Sequence, residues 1–355
     1  MAVSTIDPNG LNIGQIGGTR NKIINGAMTI DQRNAGAAVT TYFDYPVDRF
    51  QVARGAGTED ATFSAQQDSD VPSGAGFTKS LKFTVTAAET SIGADERVDI
   101  RQRVEGFNVA DFGFGAAGAS SVTLSFWVRS SLTGTFGGSF QNSAANRSYP
   151  YTYTISAANT WEYKVVTVSG DTSGTWVKDS GNGLTIFWSL GAGSNRVGTS
   201  GAWNANNNTG ATGQVQLIST SGATFYLTGF QLEAGDTATP FEHRSYGQEL
   251  ALCQRYFALA PVAGAAIANG TTTVDAPVAY PVQMRAGATI TARAVVTVTD
   301  VVAADYAQSS ANISSVFAAG VSSAYMRFGN FSSLTSGKVY LARNGDMFIN
   351  VSAEL

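Results

Sequence analysis

Histidine and cysteine are almost absent from this chain, which carries one of each, His243 and Cys253. One of each cannot supply the tetrahedral set that zinc prefers, so a Cys/His metal site is excluded by count. A single cysteine has no intramolecular disulfide partner, and stability must come from burial and sheet hydrogen bonding. Charge is also scarce. Asp, Glu, Lys and Arg make up 14% of the 355 residues, against about a quarter in an average soluble protein. The formal net charge of -4 and the sequence pI near 5.1 offer a phosphate backbone no attraction, which argues against a nucleic-acid partner. No apolar run reaches the length of a membrane span, so membrane insertion is not expected. The start, Met1-Ala2-Val3-Ser4-Thr5, lacks the basic and apolar regions of a secretory signal, and assembly in a cytoplasm is expected. The sequon Asn207-Asn208-Thr209 is then an accident of an Asn-rich composition.

Catalytic constellations are missing too. His243 sits in Pro240-Phe241-Glu242-His243-Arg244 with no nucleophile-elbow sequence anywhere, and reads as a structural hydrogen-bonding group. Acidic candidates for glycoside hydrolysis are Glu59 with Asp60, Asp95 with Glu96 and Asp99, and Glu105, and none is distinguished from the others. The charges of Asp95-Glu96-Arg97 are expected to form rim ion pairs with Arg101 and Arg103. Gly113-Phe114-Gly115 lacks the strand, Gly-Lys-Ser/Thr and helix context of a phosphate loop. The chain is therefore expected not to be an enzyme and to need no cofactor. Structural calcium stays open, because Asp68, Asp70 and the carbonyls near Asn25 could offer hard oxygen ligands.

What the chain does have is β patterning and aromatics on a polar background. Hydrophobic residues reach 43%, enough for a core, and the remaining surface is largely Ser, Thr, Asn, Gln and Gly, as on secreted or virion proteins. Short β-type segments separated by Gly, Ser and Asn clusters predict an all-β jelly-roll sandwich. Alternation assigns faces. Leu81, Phe83 and Val85 share one. Val122, Leu124, Phe126 and Val128 share another, leaving Thr123, Ser125, Trp127 and Arg129 opposite. Trp161, Tyr163 and Val165 form a face read as core, as do Leu184, Ile186, Trp188 and Leu190. Tyr226, Thr228, Phe230 and Leu232 close the series. Residues 130–148 and 191–213 are expected to be long surface loops. One helix is predicted after Ser245, with a Ser245–Gln248 capping box, Leu250, Cys253 and Phe257 at helical intervals, and Pro261 as its stop. Strands resume from Thr271, with Asn344-Gly345 as a hairpin turn. The expected organisation is an extended docking arm over 1–21, a jelly-roll domain over 22–245, and a short helix plus smaller β domain over 246–355.

The chain holds 5 Trp, 13 Tyr and 20 Phe, most of which must be core. Three groups resist that reading: Trp127 on the face of Thr123 and Ser125, the Tyr149-Pro150-Tyr151 segment after a polar loop, and Trp203 beside Asn204, Asn206, Asn207 and Asn208. A ring flanked by amides suits sugar recognition, since the ring stacks on a pyranose while Asn reaches its hydroxyls. The candidate ligand set is Trp203, Asn204, Asn206, Tyr149 and Tyr151, with Trp127 as the sheet-face alternative. For Trp203 the residues leave a second reading equally open, a ring that pins its loop to the sheet.

Several stretches resemble phage tail-fibre and prophage structural proteins that contain a carbohydrate-binding-module-like jelly roll. They are Asn21-Lys22-Ile23-Ile24-Asn25-Gly26-Ala27-Met28 with Asp31-Gln32-Arg33, Val47-Asp48-Arg49-Phe50, Gln102-Arg103-Val104-Glu105 and Thr123 to Arg129. Further along they are Asn159 to Tyr163, Gly229 to Gly235, Ala238 to Glu242 and Leu252 to Phe257. Residues 21–28 correspond to that family's opening strand, with Ala27-Met28 in place of a Gly-Phe-like pair. The resemblance implies a virion component, often a homotrimer, held to other virion proteins through its N-terminal arm and touching host-surface glycan. It supplies no catalytic residue. A purely structural tail or capsid-decorating subunit is the alternative, and a polysaccharide depolymerase is disfavoured because no long parallel-β-helix repeats occur.

Overall fold

The computed structural model describes residues 20–55, 61–262, 264–293, 297–299, 305–307, 313–342 and 348–355. The predicted docking arm up to residue 19, the acidic pair Glu59 and Asp60, and the Asn344-Gly345 turn lie outside the described residues. The chain forms two compact units, Met1–Arg244 and Ser245–Leu355.

The first unit is a jelly-roll sandwich of two five-stranded antiparallel sheets. One sheet orders β1 (Gln51–Arg54), β4 (Arg97–Glu105), β9 (Asn182–Ala192), β6 (Gly134–Gln141) and β7 (Ser148–Ile155). The other orders β2 (Thr62–Asp68), β3 (Ser80–Ala87), β12 (Thr224–Ala234), β5 (Val122–Ser130) and β8 (Glu162–Val168). A short helix α1 (Gly106–Val109) follows β4, and β10 (Val197–Gly198) pairs in parallel with β11 (Gly210–Ala211). Alternation places Leu81, Phe83, Val85 and the Val122–Val128 series in one continuous core with Leu184, Ile186, Trp188 and Leu190. Burying such faces against each other supplies the main stabilisation of a sandwich.

Four expectations are corrected here. Residues 130–148 are not one loop, because they contain β6, hydrogen-bonded between β9 and β7. Its Phe136 and Phe140 are fully buried, and the Gly137-Gly138 pair between them masks the alternation. Residues 21–28 are an irregular buried ribbon and not a strand, since Asn25 (φ 61) and Met28 (φ 57) turn it left-handed. The Asn25 side chain holds that turn, donating to the carbonyls of Ile30 (2.8 Å) and Asp48 (2.9 Å) and accepting from the Ile30 amide (2.9 Å). On β12 the two-residue period breaks at Gly229 (φ 66), where the register with β5 shifts between Thr228 and Gln231. Phe225, Leu227, Phe230 and Leu232 therefore face the core, while Tyr226 and Thr228 face outward. Asp95 pairs with Arg196 (3.5 Å), and it is Asp99 that pairs with Arg101 (2.9 Å), both buried and not on a rim.

In the second unit α2 (Tyr246–Gln254) starts with the predicted capping box between Ser245 and Gln248. It ends before Phe257, which opens β13 (Phe257–Pro261) and pairs with Ser352. Strands thus resume well before Thr271, through Ala-rich segments whose composition hides them. β13, β22 (Phe348–Ser352) and β16 (Thr289–Ala292) make one sheet. A second runs through β18 (Asp305–Ala307), β17 (Thr297–Thr299), β21 (Val339–Ala342), β14 (Gly264–Ala268), β15 (Val274–Ala279), β20 (Ser323–Phe328) and β19 (Ile313–Ala319). β21 and β22, on either side of residues 343–347, belong to different sheets. Val274, Met326, Phe328, Tyr340, Ile349 and Val351 are among the core of this unit.

Among the described residues no helix is long and apolar enough to cross a membrane.

Candidate functional site

The outer face of the β2-β3-β12-β5-β8 sheet carries an open cleft of about 800 Å³, within the range of small-ligand sites. Its floor follows from the alternation in β5. With Leu124, Phe126 and Val128 turned to the core, Ser125 and Trp127 must point out. Register pairs Trp127 with Tyr163 of β8, and their ring centroids lie 5.4 Å apart. Tyr163 is 44% exposed and Val165 47%, because β8 is an edge strand whose core side is held by Val166 and Val168. The Trp161, Tyr163 and Val165 face is therefore surface and not core. Trp161 is half-buried, donating its indole N–H to Asp70 (2.8 Å).

One wall is the segment 238–243, which crosses this face after β12. Two buried outward residues of β12 hold it there. Glu233 accepts from the Thr239 amide (2.9 Å) and hydroxyl (2.7 Å), and Gln231 accepts from the Glu242 amide (2.8 Å). Glu242 in turn accepts from the Asn21 amide (2.7 Å). The wall presents Phe241 and His243, packed on Phe77 with centroids 5.0 and 5.7 Å away. Gly229 makes this close approach possible. A Cβ there would lie 2.7 Å from the Phe77 ring and 3.0 Å from Trp127. Two aromatic groups, Trp127 with Tyr163 and Phe77 with Phe241 and His243, thus line one cleft together with Ser125 and Gly229.

Among the described residues no Asp, Glu, Lys or Arg side chain lines the cleft. The nearest basic residue on β5, Arg129, is ion-paired with Asp70 and lies over the Tyr226 ring at 5.0 Å. Asp68 pairs with Lys82 at 3.6 Å, so the two acids considered for calcium are both engaged by protein cations. Among the described residues no three His, Cys, Asp or Glu side chains gather as a metal site. The cleft can stack on flat apolar surfaces and exchange hydrogen bonds with Ser125 and His243.

The Trp203 group lies elsewhere. Tyr149 and Tyr151 are not a loop tip but alternate residues of β7, turned into the core with Tyr153. Tyr151 is 2% exposed and its hydroxyl donates to the Phe187 carbonyl (2.8 Å). Burial pushes the phenols of Tyr149 and, far more, Tyr151 above their ordinary value. Trp203 is half-buried, edge-on to Tyr149 (5.4 Å), Trp176 (5.3 Å) and Phe114 (5.7 Å), with its N–H donated to the Ser169 carbonyl (2.6 Å). The Asn204 side-chain oxygen Oδ1 accepts from the Ser148 hydroxyl (3.1 Å), the Asn206 backbone amide (3.0 Å) and the Asn208 side chain (3.1 Å), while Asn206 itself is exposed. This geometry is that of a loop anchor. Trp203→Ala should lower the stability of the first unit by about 2–3 kcal/mol, somewhat below the cost of a fully buried Trp, while ligand retention per folded molecule stays unchanged. Calorimetry beside a binding assay checks both, and a loss of retention without a change in melting would reinstate Trp203 as a binding residue.

Of the six residues singled out in the sequence, Trp127 alone lines the cleft. Tyr163, Phe77, Phe241 and His243 were missed. Tyr163 could have been found by noting that Val166 and Val168 share the opposite parity of the same strand. The wall residues carry no periodic signal, because only the Gln231 and Glu233 hydrogen bonds place them.

No family model matches the chain, and no curated protein does. Among solved structures the chain is similar to the enzymatically active domain of tailspike protein 4 of bacteriophage CBA120. That match has 12% identity and a TM-score of 0.33, over 61% of this chain and 21% of that one. The chain thus spans about a fifth of the tailspike structure's length. It is also similar to TmCBM61, solved with β-1,4-galactotriose, at 11% identity and TM-score 0.31, over 61% of this chain and 99% of that one. A third is the family 11 carbohydrate-binding module of the cellulosomal cellulase Lic26A-Cel5E of Clostridium thermocellum, at 14% identity and TM-score 0.28, covering 60% and 100%. The likeness is one of architecture.

Proposed function

We propose that this chain is a non-catalytic glycan-binding subunit of a bacteriophage particle, a tail-fibre or tail-tip component that works through the cleft on its jelly roll. The observation that carries the binding role is the gathering of Trp127, Tyr163, Phe77, Phe241 and His243 in one cleft whose described lining holds no charged side chain. Rings stack on the C–H faces of sugars, and the few polar groups at the edges give direction without charge. The absence of any carboxylate among the described lining residues supports binding without hydrolysis. The particle setting rests on the family resemblance of the quoted stretches and on the polar, low-charge composition. With it go assembly in the host cytoplasm, a homotrimer and attachment to other virion proteins through residues 1–21. Repetition on one particle would multiply a weak single-site affinity.

Trp127→Ala and Tyr163→Ala should each weaken retention by a bacterial surface polysaccharide about 10- to 100-fold, as loss of one stacking ring entails. Affinity electrophoresis of the purified chain through gels containing host-surface polysaccharide measures this. Thermal melting shows whether the variants stay folded, and unchanged mobility in two folded variants defeats the cleft as the binding site. In that case the purely structural subunit becomes the better reading.

A further inference from the structure

We propose that the cleft selects uncharged glycans and rejects those bearing carboxylate or sulfate groups. This rests on reading the cleft as the glycan site, and it goes further by naming the ligand class. The argument is electrostatic. An acidic sugar entering the cleft gives up water around its charge, and a buried anion is tolerated only when a cation or several hydrogen-bond donors replace that water. Among the described residues no Lys or Arg lines the cleft. Arg129, two residues beyond Trp127 on the same outward face, is ion-paired with Asp70, which also accepts from the Trp161 indole. The rings add a repulsive contribution. Aromatic faces carry the negative end of the ring quadrupole, so Trp127, Tyr163, Phe77 and Phe241 disfavour an anion over their faces while accepting a C–H surface. The polar groups left on the lining are the Ser125 hydroxyl, the Tyr163 phenol and the His243 imidazole. These exchange hydrogen bonds with hydroxyls and provide no permanent positive charge.

The test uses the full chain in affinity electrophoresis against soluble β-glucan, galactan and mannan as neutral probes, and polygalacturonate and alginate as acidic ones. Polygalacturonate with every carboxylate methyl-esterified serves as the matched pair of its parent. The expected result is retention by at least one neutral probe, lost in Trp127→Ala, with acidic probes at least about tenfold weaker. Retention by the neutral probe should also hold when salt is raised from about 50 to about 500 mM, since no ion pair contributes. If methyl-esterified polygalacturonate is retained, its unesterified parent should be held at least about tenfold less. Acidic probes held as tightly as neutral ones, with Trp127→Ala abolishing both, would overturn charge selection and leave the glycan site standing. Retention of no probe, acidic or neutral, would overturn the glycan reading and this inference with it.

Discussion

Trp188→Ala is expected to lower the unfolding free energy of the first unit by about 3–5 kcal/mol, the range for removing a large buried aromatic side chain. Trp188 is fully buried on β9, with the Phe230 ring 4.3 Å away and Phe50 and Phe126 at 6.1 and 6.2 Å. Phe230 and Phe126 belong to the sheet facing β9, so the indole joins the two halves of the sandwich. Its N–H finds no acceptor among the described residues, and its contribution there is packing and apolar area. Trp188→Phe, which keeps most of that area and removes the unsatisfied donor, should cost clearly less than the alanine change. Urea unfolding followed by far-UV circular dichroism measures both. A loss below about 1 kcal/mol for Trp188→Ala would show that the sheets are held together elsewhere.

The second large effect is at Gly138. It sits in the middle of β6, opposite Trp188 on β9 and Tyr151 on β7. An added Cβ would fall on the Phe187 carbonyl oxygen and on the Tyr151 ring, inside van der Waals contact. The carbonyl is backbone of a central strand and cannot step aside. The Tyr151 hydroxyl that bonds to it would be displaced as well. Gly138→Ala should therefore cost about 3 kcal/mol, at the upper end of overpacking penalties. Thr135→Ala, at an exposed position of the same strand, should stay within about 0.5 kcal/mol. Equal melting temperatures for the two variants would falsify the close packing inferred at this glycine.

Wherever one face of a strand is apolar and the other polar, alternation alone settled the outcome. The Val122–Val128 and Leu184–Leu190 series are buried as their period requires, and the outward direction of Trp127 follows from the same rule. The Ser245–Gln248 capping box also fixed the start of α2 locally, because its hydrogen bonds span only three residues. Three things were decided by tertiary structure. Gly229 shifts the period of β12 by a bulge, and a bulge is set by strand pairing that a single strand does not encode. The glycines of β6 read as loop in isolation, yet they are strand because neighbouring strands leave no room for a side chain. The cleft needs β5, β8, residues near Phe77 and the segment 238–243 together. Residues that distant in the chain come to one surface only through the order of strands in the sheet, which is why Trp127 was legible in the sequence and its partners were not.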